Sequence, residues 1–195
     1  MRKETKDILI VVVIGLVIVG CIKWLIFTPY TVNGASMHPT FETGDRVIVN
    51  KLSKKLNTLQ HGDVIVFHED ADRDFIKRII GVPGDQVKYQ NDQLYINGQK
   101  INEPYLKSNQ KEKAAEFLTE NFDVSDIEGS DGRTTIPQGH YLVLGDNRMN
   151  SIDSRSFTVG FVAHESIVGE AFLRYWPLER AKFQFNPGTF EKVEA

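Results

Sequence analysis

The feature that most constrains this chain is an apolar run close to its start. Ile8 to Ile22 holds 15 consecutive residues that are apolar or glycine, and after Lys23 the run resumes as Trp24-Leu25-Ile26-Phe27. From Ile8 to Phe27 is 20 residues, about 30 Å as a helix, the thickness of a bilayer's hydrocarbon core. Lys23 near the far end can snorkel, and Trp24, Phe27 and Tyr30 suit an interface. Arg2, Lys3 and Lys6 precede the run, whereas only Arg46 is basic between Thr28 and Val47. The positive-inside rule then predicts residues 1–7 in the cytoplasm, a transmembrane anchor over 8–27, and residues 28–195 outside. Two other readings compete for the segment. A cleaved secretory signal would need a small-x-small site after a shorter core, and none follows cleanly. Ile18-Val19-Gly20-Cys21 has the shape of a lipoprotein signal, but the apolar run continues past Cys21.

Composition narrows the rest. A chain of 195 residues, 41% apolar, can bury one real core. A net charge of −3 gives no support for a nucleic-acid partner. Cys21 is the sole cysteine, so no intramolecular disulfide forms and a cysteine-based zinc site is disfavoured. His61, His68, His140 and His164 show no metal-ligand spacing. No metal, cofactor or obligate protein partner is expected.

Past Thr28 the texture changes to short β-like runs. Residues 46–49, 64–67 and 75–82 read as strands, each bounded by a Gly-Asp pair. Residues 87–89 and 94–96 read as hairpin arms around Gln90-Asn91-Asp92-Gln93, and Asn97-Gly98 signals another tight turn. Residues 141–144 and 167–176 complete the set. The prediction is a mainly β domain, a folded-over or barrel-like sheet. Residues 106–133 are polar and charged, and read as a small excursion from the core with one short helix and a candidate for mobility.

Two stretches draw attention as chemistry. Ser36 sits between Gly34-Ala35 and Pro39, presented by small residues and a turn. Lys77 lies in an apolar strand, sharing one face with Phe75 and Ile79. Burial disfavours the charged form of a lysine. To act as a base near neutral pH, its pKa must fall by roughly 2–3 units from about 10.4. Arg78 on the opposite face stays protonated and needs a carboxylate. A lone serine and lysine 41 residues apart carry little weight, and a snorkelling lysine is the plain alternative. A third stretch, Gly145-Asp146-Asn147-Arg148 through Ser154-Arg155, reads either as a polar loop or as a source of acids and hydroxyls for a site.

Taken together, these stretches resemble the boxes of bacterial type I signal peptidases, the Ser-Lys membrane proteases of family S26 that remove signal peptides from exported proteins. The likeness is carried by Ser36-Met37-His38-Pro39-Thr40, Gly44-Asp45-Arg46-Val47-Ile48-Val49-Asn50-Lys51, the run from Phe75 to Asp85, and the run from Gly145 to Arg155, in that order after an anchor. The single anchor and short excursion resemble the compact form of Gram-positive bacteria. The resemblance implies Ser36 as nucleophile and Lys77 as general base, with Ser151 orienting the lysine. It implies pairs between Arg78 and Asp146 and between Arg155 and Asp153. It further implies that Tyr30, Val32, Met37 and Ile76 line shallow apolar subsites, and that the Ser36 N–H serves the oxyanion. Some relatives place a serine donor two residues before the nucleophile, where this chain has Gly34. His38 is too close in sequence to reach back to the Ser36 hydroxyl and is not expected to act as base. The implied partners are signal peptides of preproteins and the phospholipid membrane.

Two other classes remain on the sequence alone. A soluble Ser-Lys autoprotease like the SOS-response repressors shares the Ser-Met pair and downstream lysine, but lacks the apolar span. A non-enzymatic, membrane-tethered β module would have no use for Ser36 and Lys77.

Overall fold

The computed structural model describes residues 3–70, 73–190 and 193. Helix α1 spans Lys3–Ile26. It leads directly into β1 (Phe27–Thr31), β2 (Arg46–Asn50), the short helix α2 (Leu52–Lys55), β3 (Val64–His68) and β4 (Asp74–Gly81). Next come β5 (Val87–Gln90), β6 (Gln93–Ile96), β7 (Gln99–Ile101), α3 (Lys107–Glu112) and β8 (Phe122–Asp123). The chain finishes with β9 (His140–Leu144), β10 (Val162–Ala163), β11 (Ile167–Trp176) and β12 (Lys182–Phe183).

The fold is mainly β, as expected, and all its pairings are antiparallel. One sheet runs β1-β2-β11-β3-β4-β9-β10, with β12 added to β11. A second runs β7-β6-β5-β8. Each strand expected from the sequence forms, with ends moved by one residue or none. The hairpin turn falls on Asn91 and Asp92, at φ 51° and 61°, the left-handed values that a two-residue hairpin turn requires.

Two features depart from the sequence reading. The helix ends at Ile26, and Phe27 already pairs with Asn50 as the first residue of β1. Apolar character alone cannot separate a helix end from a strand start. The excursion does carry one short helix, α3, but it also returns β8 to pair with β5, so it is stitched into the second sheet. On α1, the apolar side chains of Ile8 to Ile14, Leu16, Val17 and Val19 stand exposed. Arg2 and the side chains of Lys3, Cys21, Lys23 and Trp24 lie outside the described residues. Among the described residues no helix is long and apolar enough to cross a membrane.

What positions the site is the centre of the larger sheet. Strand β4 lies between β3 and β9, with Lys77 opposite Ile65 and Arg78 opposite both Val64 and Leu144. The chain leaving β9 at Leu144 turns at once into Gly145-Asp146, which sets that loop beside β4. Below it, Val32, Met37, Phe41, Val47, Val64, Val66 and Ile76 form one continuous buried cluster.

Candidate active site

The turn carrying Ser36 is held by the loop after β9. The Asn147 N–H donates to the Ser36 carbonyl at 2.9 Å, and the Asn147 side-chain amide to the Ala35 carbonyl at 3.1 Å. Gly145 makes this approach possible, because a Cβ there would overlap both the Ser36 carbonyl oxygen and Ser151 Oγ. Gly34 has φ 94°, in the range that favours glycine. Its N–H donates to Thr43 Oγ1, and no side-chain donor stands at this position.

Lys77 Nζ donates to Ser36 Oγ at 2.8 Å and to the Ile76 carbonyl at 3.0 Å. The ammonium also sits 4.9 Å from the centre of the Phe75 ring, the neighbour expected from strand alternation. Lys77 is 3% exposed. Burial pulls its pKa from the ordinary 10.5 down to about 8, with Asp153 and Asp146 pulling the other way. A snorkelling lysine at a sheet edge is thereby ruled out.

Arg78 forms a two-pronged ion pair with Asp146, Nε to Oδ1 at 2.9 Å and Nη2 to Oδ2 at 2.7 Å. Its Nη1 donates to the carbonyls of Gly62 and Phe185. Burial opposes the Arg78 charge, but Asp146 outweighs it and the pKa is raised. Arg155 grips Asp153 likewise, at 2.8 Å for both prongs. The Asp153 carboxyl, pushed up by burial, is nevertheless held below its usual range by Arg155 and the Gly145 N–H. Both pairs expected from the sequence are therefore present.

Two expectations need correction. Ser151 does not hydrogen-bond Lys77: its Oγ is buried with no partner among the described residues. It packs against Gly145, while Lys77 spends its donors on Ser36 and Ile76. The Ser151 hydroxyl is close enough to favour the Asp153 carboxylate, but not at hydrogen-bonding geometry. Met37 is 1% exposed and belongs to the core cluster; following Ser36 in a tight turn, its side chain is sent inward while the serine's reaches the surface.

Tyr30, Val32 and Ile76 do line a cleft of about 810 Å³, together with Ser36, Lys77 and Ser151. Burial, aided by Asp74, raises the Tyr30 phenol to about 12, so it stays a neutral wall. The cleft's lining does not include His38. Of the other histidines, His61 is buried against Asp85 and His68 pairs with Asp74. Among the described residues no cluster of His, Cys, Asp and Glu could hold a metal ion.

Sequence reasoning passed over three contributors. Thr40 donates its hydroxyl to Asp146. Arg148 is buried and paired with Glu103 at 2.6 Å, and also donates to the Tyr89 hydroxyl. Asn109 reaches in from α3. Arg148 was visible as a second arginine in its loop and Thr40 as the end of the Ser36 stretch, though neither was given a role, whereas Asn109 gave no signal.

A mainly β fold that sets a serine hydroxyl against a buried lysine amine defines the class as a serine peptidase. The family follows from sequence and structural likeness. The family described as "Signal peptidase, peptidase S26" matches residues 5–176. The chain is 45% identical to "Signal peptidase IB" of Staphylococcus aureus strain MRSA252 over 188 residues, 96% of this chain and 97% of that one. It is 42% identical to "Signal peptidase I" of Bacillus caldolyticus over 172 residues, 88% of this chain and 92% of that one. The crystal structure of a signal peptidase I from Enterococcus faecalis V583 superposes with a TM-score of 0.52 at 39% identity, covering 57% of this chain and 95% of that one. This chain belongs to the S26 family of signal peptidases.

Proposed function

We propose that this chain is a membrane-anchored endopeptidase that cuts signal peptides from exported preproteins after small-x-small motifs, with Ser36 as nucleophile and Lys77 as general base. The observation that carries the reading is the 2.8 Å contact between the buried Lys77 Nζ and Ser36 Oγ. At about 8, the Lys77 pKa leaves a useful neutral fraction at physiological pH. Neutral Lys77 takes the Ser36 proton as Oγ attacks the scissile carbonyl carbon. The C–N bond breaks, the leaving amine receives that proton from Lys77, and an acyl-enzyme remains. Lysine, neutral again, takes a proton from water as the water oxygen attacks the acyl carbon; the C–Oγ bond then breaks, Ser36 Oγ takes that proton back from Lys77, and the new carboxyl group departs. The Ser36 N–H would serve the oxyanion, and Gly34 has no side chain to add a donor.

The walls suit the substrate. Val32 and Ile76 give shallow apolar surface beside the reacting pair, which admits small side chains close to the cut. Arg78–Asp146 and Arg155–Asp153 hold the loop and strand that frame the pair. The apolar run from Ile8 to Phe27 would be the anchor on the strength of the sequence, and apolar side chains along that stretch stand out unpacked. The basic start of the chain would face the cytoplasm and the β domain the outside.

The test is cleavage of a preprotein by the full-length protein in detergent or lipid. Wild type should release the mature protein, and Ser36→Ala and Lys77→Ala should each abolish release. Protease added to intact spheroplasts should digest the β domain. Full activity in Ser36→Ala, or a β domain protected until lysis, refutes the corresponding half of the reading.

A further inference from the structure

Helix α3 is a polar hexapeptide, Lys107-Ser108-Asn109-Gln110-Lys111-Glu112, and Asn109 is its buried residue. No apolar face docks this helix. Asn109 is 8% exposed, and its amide nitrogen donates at 2.8 Å to two carbonyl oxygens, those of His38 and Asp146. A side-chain amide has two hydrogens to give, and here both are spent on segments that frame the reacting pair. His38 lies two residues past Ser36, and Asp146 is the carboxylate that grips Arg78.

The two ends of the Ser36 turn are thus held separately. Asn147 fixes the leading end through Ala35 and Ser36. Asn109 fixes the trailing end through His38 and ties it to the same loop. The excursion is fastened to that loop again where Arg148 donates to the Thr119 hydroxyl at 3.2 Å. Without Asn109, the buried Asp146 carbonyl and the half-buried His38 carbonyl lose their donor, and the trailing end of the turn is free to shift. Attack by Oγ depends on sub-ångström placement, and a 1 Å error costs on the order of 100-fold in rate.

We propose that Asn109 is a positioning residue for peptide-bond cleavage, a clamp from the excursion that sets the nucleophile turn against the Asp146 loop. The proposal rests on the Ser36–Lys77 reading. It predicts a defect in the chemical step and not in substrate binding, because Asn109 bonds framework carbonyls away from the apolar subsites.

The experiment compares full-length wild type with Asn109→Leu, which keeps the size but no donor, and Asn109→Ser, which is smaller and keeps one donor. Preprotein cleavage is measured per folded molecule, with folding followed by circular dichroism. In Asn109→Leu, kcat should fall about ten-fold or more, with KM within about two-fold and the ascending pH limb unmoved. Asn109→Ser should fall between that variant and wild type. A kcat per folded molecule within about two-fold of wild type in Asn109→Leu overturns the proposal. So does failure of both variants to fold, since the side chain would then be a requirement of the fold as a whole. Turnover surviving in Ser36→Ala sinks the underlying reading instead, whatever the Asn109 variants do.

Discussion

Strand β4 separates two environments that treat a buried cation in opposite ways. On the cleft side Lys77 is 3% exposed, and on the other side Arg78 is 0% exposed. Arg78 meets a carboxylate and two carbonyls, and its charge is fully matched. Lys77 meets a neutral hydroxyl and one carbonyl, and burial lowers its pKa to about 8. Carboxylates are not lacking nearby. Asp146 and Asp153 both act on Lys77 through space, but each is committed to an arginine. The arginines therefore brace the loop and also keep the acids from pairing with the lysine. A cation whose carboxylates are occupied elsewhere is free to lose its proton, and that is what a base requires.

The largest expected effect comes from changing the cleft side alone. Lys77→Met should abolish turnover, and Lys77→Arg should do the same because a guanidinium keeps its proton. The same Lys77→Met change should stabilise the fold at neutral pH. The unfolded chain holds the lysine proton up to its ordinary 10.5 and the folded chain only to about 8. Between those values the unfolded state binds more protons, so wild-type stability rises with pH through that window. Below pH 8 the full penalty applies, on the order of 3 kcal/mol. Chemical denaturation at pH 7 and pH 10 should show the gap between variant and wild type closing at the higher pH. A gap that does not change with pH means Lys77 carries no buried-charge penalty.

Across the strand the expected effect on turnover is smaller, and the loss falls on stability. Arg78→Ala leaves Asp146 unmatched and two carbonyls without their donor, while Asp146→Ala strands the guanidinium and the Thr40 hydroxyl. Each should cost roughly 3–5 kcal/mol of stability. The double variant should cost clearly less than the sum, because neither charge is then left alone. Additive losses would mean that the pair does not act as a pair and that the contrast across β4 is only geometric.

The two sides were not equally legible in the sequence. Lys77 and Arg78 declared their faces through strand alternation, and the Gly-Asp turns marked the strand ends. Phe75 beside Lys77 followed from the same alternation. The order of strands did not follow: β11 inserts between β2 and β3, a pairing between distant segments that no local pattern encodes. Met37 was misplaced because a turn, unlike a strand, has no fixed alternation to say which neighbour points inward. Ser151 was placed by family resemblance, which cannot say that in this chain its hydroxyl packs against Gly145 and makes no bond to the lysine. Asn109 was invisible because a polar helix carries no periodic signal, and its burial is set by two carbonyls brought together from elsewhere in the chain.

The smallest expected effect concerns the other base that the sequence offers. His38 lies two residues from Ser36, and an imidazole of ordinary basicity titrates near 6.5. The structure leaves His38 outside the cleft lining, and its contact with Asn109 is through the backbone carbonyl, which any residue supplies. His38→Ala should therefore keep kcat/KM within about two-fold of wild type. The pH profile makes the test sharper than the rate alone. A lysine base places the midpoint of the ascending limb near 8, whereas a histidine base places it more than about one unit lower. Wild type and His38→Ala should share the higher midpoint. A wild-type limb centred near 6.5 that vanishes in His38→Ala would move the base from Lys77 to His38, and the contrast across β4 would then have no part in the chemistry.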